Sequence, residues 1–152
     1  MKSFLPLFGG LLLTLGLPSV ALRAQNATSS PTPAIQTGGE VAAQSAAEVW
    51  LALTDDARYD ASYTSAGGIF QKLVTKEQWV KLVTNGRGPL GKVTSRRLKV
   101  AKFSPTMAGA PDGQYVVLHY ESAFEKKPAA VETLTTLLDA DGQWKVCGYF
   151  IR

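Results

Sequence analysis

Arg96, Tyr120 and Glu132 are the residues of this chain best placed to do chemistry. Each lies in an apolar segment with strand-like alternation. A period of two puts Arg96, and with it Thr94, on the side marked by Leu98 and Val100. The same rule sends Tyr120 inward with Val116 and Leu118, and Glu132 inward with Leu134 and Leu138. In an apolar interior a guanidinium can hold an anion, a phenol can donate a hydrogen bond, and a carboxylate can act as base or acceptor. Those are the parts of a ligand pocket, or of a cavity enzyme of isomerase or hydrolase type using Glu132 and Tyr120. The same groups could instead satisfy one another, Arg96 pairing with Glu132 across the sheet and Tyr120 closing the network, because a buried charge needs a partner. A one-residue bulge would reverse any of these placements.

Other chemistry is limited by composition. The chain has one histidine and one cysteine. That excludes a disulfide framework within the chain, zinc sites built on several thiolates and sites needing two imidazoles, so no metal and no cofactor is expected. His119 shares its predicted face with Tyr115 and Glu121, a solvated outer or dimer-facing position. Cys147, in Trp144-Lys145-Val146-Cys147-Gly148-Tyr149-Phe150, reads as a small buried hydrophobe. No serine has the strand–turn–helix setting of a hydrolase elbow. Asp55, Asp56 and Asp60 read as charges at helix starts. No catalytic residue is assigned.

Arg87, Lys92, Arg96, Arg97, Lys99 and Lys102 form a basic run without an acid. Anionic headgroups, polysaccharide or nucleic acid could meet it, but alternation divides it between two faces and no aromatics interleave. Nucleic acid is therefore not expected. Charges of this kind also protect a solvated strand edge from aggregation.

Three helices and four strands must position these groups. Thr37 to Glu40 has capping-box spacing, after which Ala42, Ala46, Val49, Trp50 and Leu53 share a helical face. Asp55-Asp56 opens a short helix carrying Tyr59 and Tyr63. Thr75 and Gln78 frame a second capping box, stapled by Val74 and Trp79 and stopped by Asn85-Gly86. Strand patterns follow over Val93–Phe103, Gln114–Phe124, Val131–Leu138 and Gln143–Arg152. The punctuation between them is Pro111-Asp112-Gly113, Lys126-Lys127-Pro128 and Asp141-Gly142. Helices first and antiparallel strands afterwards predict an α+β domain with helices on one face of the sheet.

With 152 residues, 45% hydrophobic and 18% charged, the chain has room for one core. Its start is a leader in form: Lys2, an apolar stretch from Phe4 to Leu17 too short to span a bilayer, Pro18, then small residues up to Ala24. Cleavage is expected after Ala24 or Ala21, with export to the periplasm or beyond and no stable membrane anchor. Cleavage after Ala24 removes Lys2 and Arg23 and lowers the net charge from +4 to +2. The Ser-, Thr-, Pro- and Gly-rich residues 25–39 read as a linker, and 40–152 as a single domain.

Three segments carry a resemblance: Val49-Trp50-Leu51-Ala52-Leu53, Pro89-Leu90-Gly91-Lys92-Val93-Thr94-Ser95-Arg96, and Asp141-Gly142-Gln143-Trp144-Lys145-Val146-Cys147-Gly148-Tyr149-Phe150-Ile151. They resemble the bacterial exported domain-of-unknown-function family 4019. The family is similar to the nuclear transport factor two-like, cystatin-like cone, which implies a fold but no activity, since that fold hosts enzymes, binding modules and dimerisation domains alike. The expectation is a non-catalytic module that binds a small molecule or a protein, with a homodimer through the outer sheet face as one arrangement.

Overall fold

A computed structural model describes residues 37–152. The expected leader and nearly all of the expected linker lie outside those residues. The elements run α1 (Gly38–Asp55), α2 (Tyr59–Ser65), α3 (Gly68–Leu73), α4 (Lys76–Arg87), a 3-10 turn (Gly88–Leu90), then β1 (Val93–Ser104), β2 (Tyr115–Phe124), β3 (Lys127–Leu138) and β4 (Trp144–Ile151). The strands form one open antiparallel sheet in the order β1-β2-β3-β4. This is the α+β arrangement expected, with α1 packed against all four strands. No described helix is long and apolar enough to cross a membrane.

Both capping boxes form. Glu40 accepts from the Thr37 N–H at 2.7 Å, so α1 begins at Gly38, two residues inside the expected linker. Gln78 accepts from the Thr75 N–H at 2.9 Å while Thr75 Oγ1 accepts from the Gln78 N–H. Each box satisfies two donors that a helix start leaves open.

The face that α1 buries is turned by one residue from the expected one. Ala43, Ala47, Trp50, Leu51 and Thr54 are buried, whereas Val49 is 69% exposed. Alanine occupies both candidate stripes, so composition distinguishes them poorly, and Leu51 with Thr54 settles the rotation by packing on the sheet. Asp55 and Asp56 do not open a helix. Asp55 is the last residue of α1 and Asp56 its C-cap, and the turn continues through Ala57 at φ 55°. A short helix not anticipated, α3, supplies Phe70 to the core and sets the Gly67 N–H on the carbonyl of Val146 at 2.8 Å.

The core is an aromatic cluster set on aliphatic strands. Trp50 lies 5.6 Å from Trp79 and 5.2 Å from Tyr149, and Phe70 lies edge-on to Trp79 at 5.1 Å between centroids. Val116, Leu118, Leu134 and Val146 floor it from the sheet.

Helix α4 runs through Asn85-Gly86, where the sequence predicts a stop, and the chain reverses later, at Gly91 with φ 77°. A Cβ on Gly91 would come within 2.6 Å of a Glu125 carboxylate oxygen, while one on Gly86 would meet nothing within 4 Å. Gly91→Ala should therefore cost about 1–3 kcal/mol. Gly86→Ala should stabilise by about 0.5–1 kcal/mol through helix propensity. Thermal unfolding of the two variants checks the opposite signs.

Bulges interrupt β1 between Val93 and Ser95 and between Leu98 and Val100. They overturn two placements: Thr94 is exposed, and Val100 turns to the outer face beside His119 while Ala101 takes the inner position. Arg96 and Leu98, between the two bulges, keep theirs. A further bulge, at Cys147, places Val146 and Tyr149 on the same side of β4.

Candidate functional site

The inward polar residues meet where β1, β2, β3 and β4 pass beneath the end of α1. Glu132 is wholly buried at the centre. Arg96 donates to it from Nε at 2.7 Å and from Nη2 at 3.1 Å. Ser122 Oγ donates at 2.5 Å and Tyr149 Oη at 2.6 Å. Arg96 also forks onto Asp55, at 2.7 and 3.0 Å, and Arg87 donates to the same carboxylate at 2.8 Å. The result is a continuous chain from Tyr149 and Ser122 through Glu132, Arg96 and Asp55 to Arg87. Bidentate, charge-assisted geometry offsets the cost of burying these charges, so the loss of either partner leaves the other buried and uncompensated.

Local sequence explains each position. Arg87 follows Trp79 and Val83 at intervals of four, so it lies on the buried stripe of α4. Its guanidinium reaches the carbonyl of Gly91 at 2.8 Å and sits 4.4 Å from the centre of the Phe124 ring. Asp55 arrives from the last turn of α1, which is why it is not a helix-start charge. Ser122 follows Tyr120 by two on the inner face of β2, and Tyr149 is brought inward by the bulge at Cys147.

The network sets its own ionisation. Burial disfavours the Asp55 carboxylate, yet the hydrogen bonds and charges of Arg96 and Arg87 hold its carboxyl below the usual carboxylate range. Burial likewise works against a charged Arg96, and bonding to Asp55 and Glu132 leaves its guanidinium more firmly protonated than usual. The Tyr149 phenol is pushed well above the ordinary range by burial and by the adjacent Glu132 charge, so it stays a donor.

Arg96 and Glu132 are thus brought together, and Tyr120 is not joined to them. The Tyr120 ring is buried between Leu98 and Glu132 in cross-strand register, but its hydroxyl has no partner and Tyr149 closes the network in its place. Tyr149→Phe should cost about 1–2 kcal/mol, because it leaves a buried carboxylate oxygen short of a donor. Tyr120→Phe should be neutral or slightly stabilising, and urea unfolding of both variants separates them.

An open groove of about 730 Å³ touches Arg96, and neither Tyr120 nor Glu132 is among the residues that line it. Both Glu132 oxygens already accept from protein donors, leaving no free lone pair arranged for substrate. Among the described residues no three His, Cys, Asp or Glu side chains are grouped to hold a metal ion. Cys147 is half-buried, its Sγ 3.4 Å from the Thr135 carbonyl, and burial pushes its thiol up to about 11, far from a reactive thiolate. His119 sits on the outer face of β2, paired across the sheet with Val100 and Thr133.

Compared with known families, residues 46–149 match the one described as Protein of unknown function (DUF4019). The chain belongs to this family. The DUF4019 span takes in every member of the network, from Asp55 at the end of α1 to Tyr149 on β4. No characterised protein and no solved structure matches the chain.

Proposed function

We propose that this DUF4019 protein is an exported bacterial protein that works by binding, without catalysis, on a fold similar to the cystatin-like cone. The observation carrying the reading is the saturation of Glu132. The one carboxylate at the centre of the interior takes two donors from Arg96 and one each from Ser122 and Tyr149. A general base needs a free lone pair within reach of its substrate. A carboxylate committed on both oxygens serves to hold the sheet together and leaves the surface to meet ligands or partners.

The leader supports export: a cation, a short apolar stretch and small residues before Gln25. Intact mass measured under native conditions, on protein recovered from its source cells, tests both parts. The expected species begins at Gln25 or Leu22 and is found in the envelope or secreted fraction. A chain starting at Met1 in the cytosol would overturn export. A turnover assay that is lost in Glu132→Gln while the fold is retained would overturn the non-catalytic reading.

A further inference from the structure

The helices cover one face of the sheet, and among the described residues nothing is packed over most of the other. Strand register arranges that face in rows. Val100, His119, Thr133 and Phe150 lie side by side across the four strands, and Arg97, Glu121, Val131 and Arg152 form the next row. Lys102 begins a third, and the bulged Lys99 reaches Glu121 at 3.3 Å from the outer side. Arg97, Lys99 and Lys102 therefore flank Val100 at the β1 end of this face, and Arg152 lies beside Phe150 at the β4 end. Glu121, which pairs with Arg97 at 2.7 Å as well as with Lys99, is the one acid in these rows. At the far end Lys145 is matched by Asp139 and Asp141. Phe150 is 61% exposed, and beyond it Leu82, 62% exposed, lines a second apolar groove that Phe150 shares.

This cationic face differs from the basic run of the sequence. Arg87 and Arg96 leave the run, since Asp55 and Glu132 neutralise them inside. Phe150 joins from β4 and Arg152 from just after it, each 50 residues away in the chain from Val100 and Lys102 respectively. The face suits a second copy poorly. Two copies would bring like charge against like.

We propose that this face docks on an anionic lipid surface, the four cations meeting headgroup phosphates while Phe150 and Val100 enter the boundary with the acyl chains. Charge complementarity selects the partner, and an exposed aromatic on the same face as cations is the pairing that interfacial binding uses. The inference deepens the binding reading above and rests on it. Export is tested separately by mass, so failure of the one is distinguishable from failure of the other.

The test uses the chain from Gln25 onward, the species expected after cleavage, so that the apolar leader cannot anchor the protein. Flotation with vesicles of phosphatidylcholine alone and with about one-third phosphatidylglycerol gives the affinity. Binding is expected only to the anionic vesicles, and raising the salt from about 20 to 300 mM should weaken it at least about tenfold. Lys99→Glu with Lys102→Glu should weaken it by about a hundredfold or more. Lys72→Glu with Lys81→Glu, the same charge change on the helical side, should alter it less than about threefold. Phe150→Ala should lose several-fold at both salts, and unchanged melting temperatures confirm that the variants fold. Absence of binding to the anionic vesicles, or equal loss in the two charge-reversal pairs, would overturn the proposal. So would retention on immobilised polyglutamate without vesicle binding, which would assign the face to an acidic protein.

Discussion

Methionine in place of Arg96 is expected to lower folding stability by about 3–5 kcal/mol, as removal of one partner from a buried ion pair does. The variant leaves Glu132 charged and wholly buried with only two hydroxyl donors, and strands Asp55 with Arg87 alone. The magnitude separates this bond from the surface pair Arg97–Glu121, whose side chains are 71% and 53% exposed. Loss of that pair in Arg97→Met should stay within about 1 kcal/mol. Adding Glu132→Gln to Arg96→Met should recover more than half of the loss, since the uncompensated charge disappears. Urea unfolding of the two singles and the double supplies the numbers. A change below about 1 kcal/mol in Arg96→Met, accompanied by lost affinity for an anion, would return Arg96 to the role of a ligand-binding residue.

Trp50→Ala is expected to cost about 3–5 kcal/mol in its own right, by opening the cavity that large-to-small core changes leave. Trp50 touches Trp79 and Tyr149 by its ring and donates its indole N–H to the Ser62 carbonyl at 2.8 Å. Its removal unseats the cluster and takes the shorter of two side-chain donors from that carbonyl, leaving the Ser65 hydroxyl at 3.2 Å. The neighbouring Val49→Ala, on the exposed side of the same helix, should lie within about 0.5 kcal/mol of wild type. Near-ultraviolet circular dichroism adds a second readout, because one of the three tryptophans is removed and Trp79 loses the ring packed against it. Equal effects at the two positions would refute the rotation of α1 described above.

Much of this arrangement can be read from residue order, and the exceptions have physical causes. Thr75, Gln78, Val74 and Trp79 announce the start of α4 because capping is local. The alternation of Val116, Leu118 and Tyr120, and of Glu132 and Leu134, announces the inner face because a sheet with one buried side has a strict period. The rotation of α1 is not legible, since Ala42 and Ala46 are as apolar as Ala43 and Ala47, and only contact with the sheet chooses between them. The bulges at Thr94, Lys99 and Cys147 leave no mark in residue type, and each resets the alternation that follows. Strict alternation therefore sends Val100 inward and passes over Tyr149. Asp55 misleads because an acid beside a turn resembles a helix-start charge until its partners are known. Arg87 does leave a clue: a cation four residues after Val83 and eight after Trp79 lies on an apolar stripe and demands an acid nearby.

The strand order has a consequence for how the molecule assembles. Each strand pairs only with its immediate successor, so hairpins can zip in turn with short loops to close. The helical half comes first and supplies Trp50, Trp79 and Phe70 to one another, but both tryptophans lack the Tyr149 ring, and Glu132 one of its donors, until the final strand arrives. The core and the Glu132 network are therefore complete only when β4 has docked. A truncation removing β4 should yield no smaller folded remnant, only a polypeptide left to chaperones and proteases.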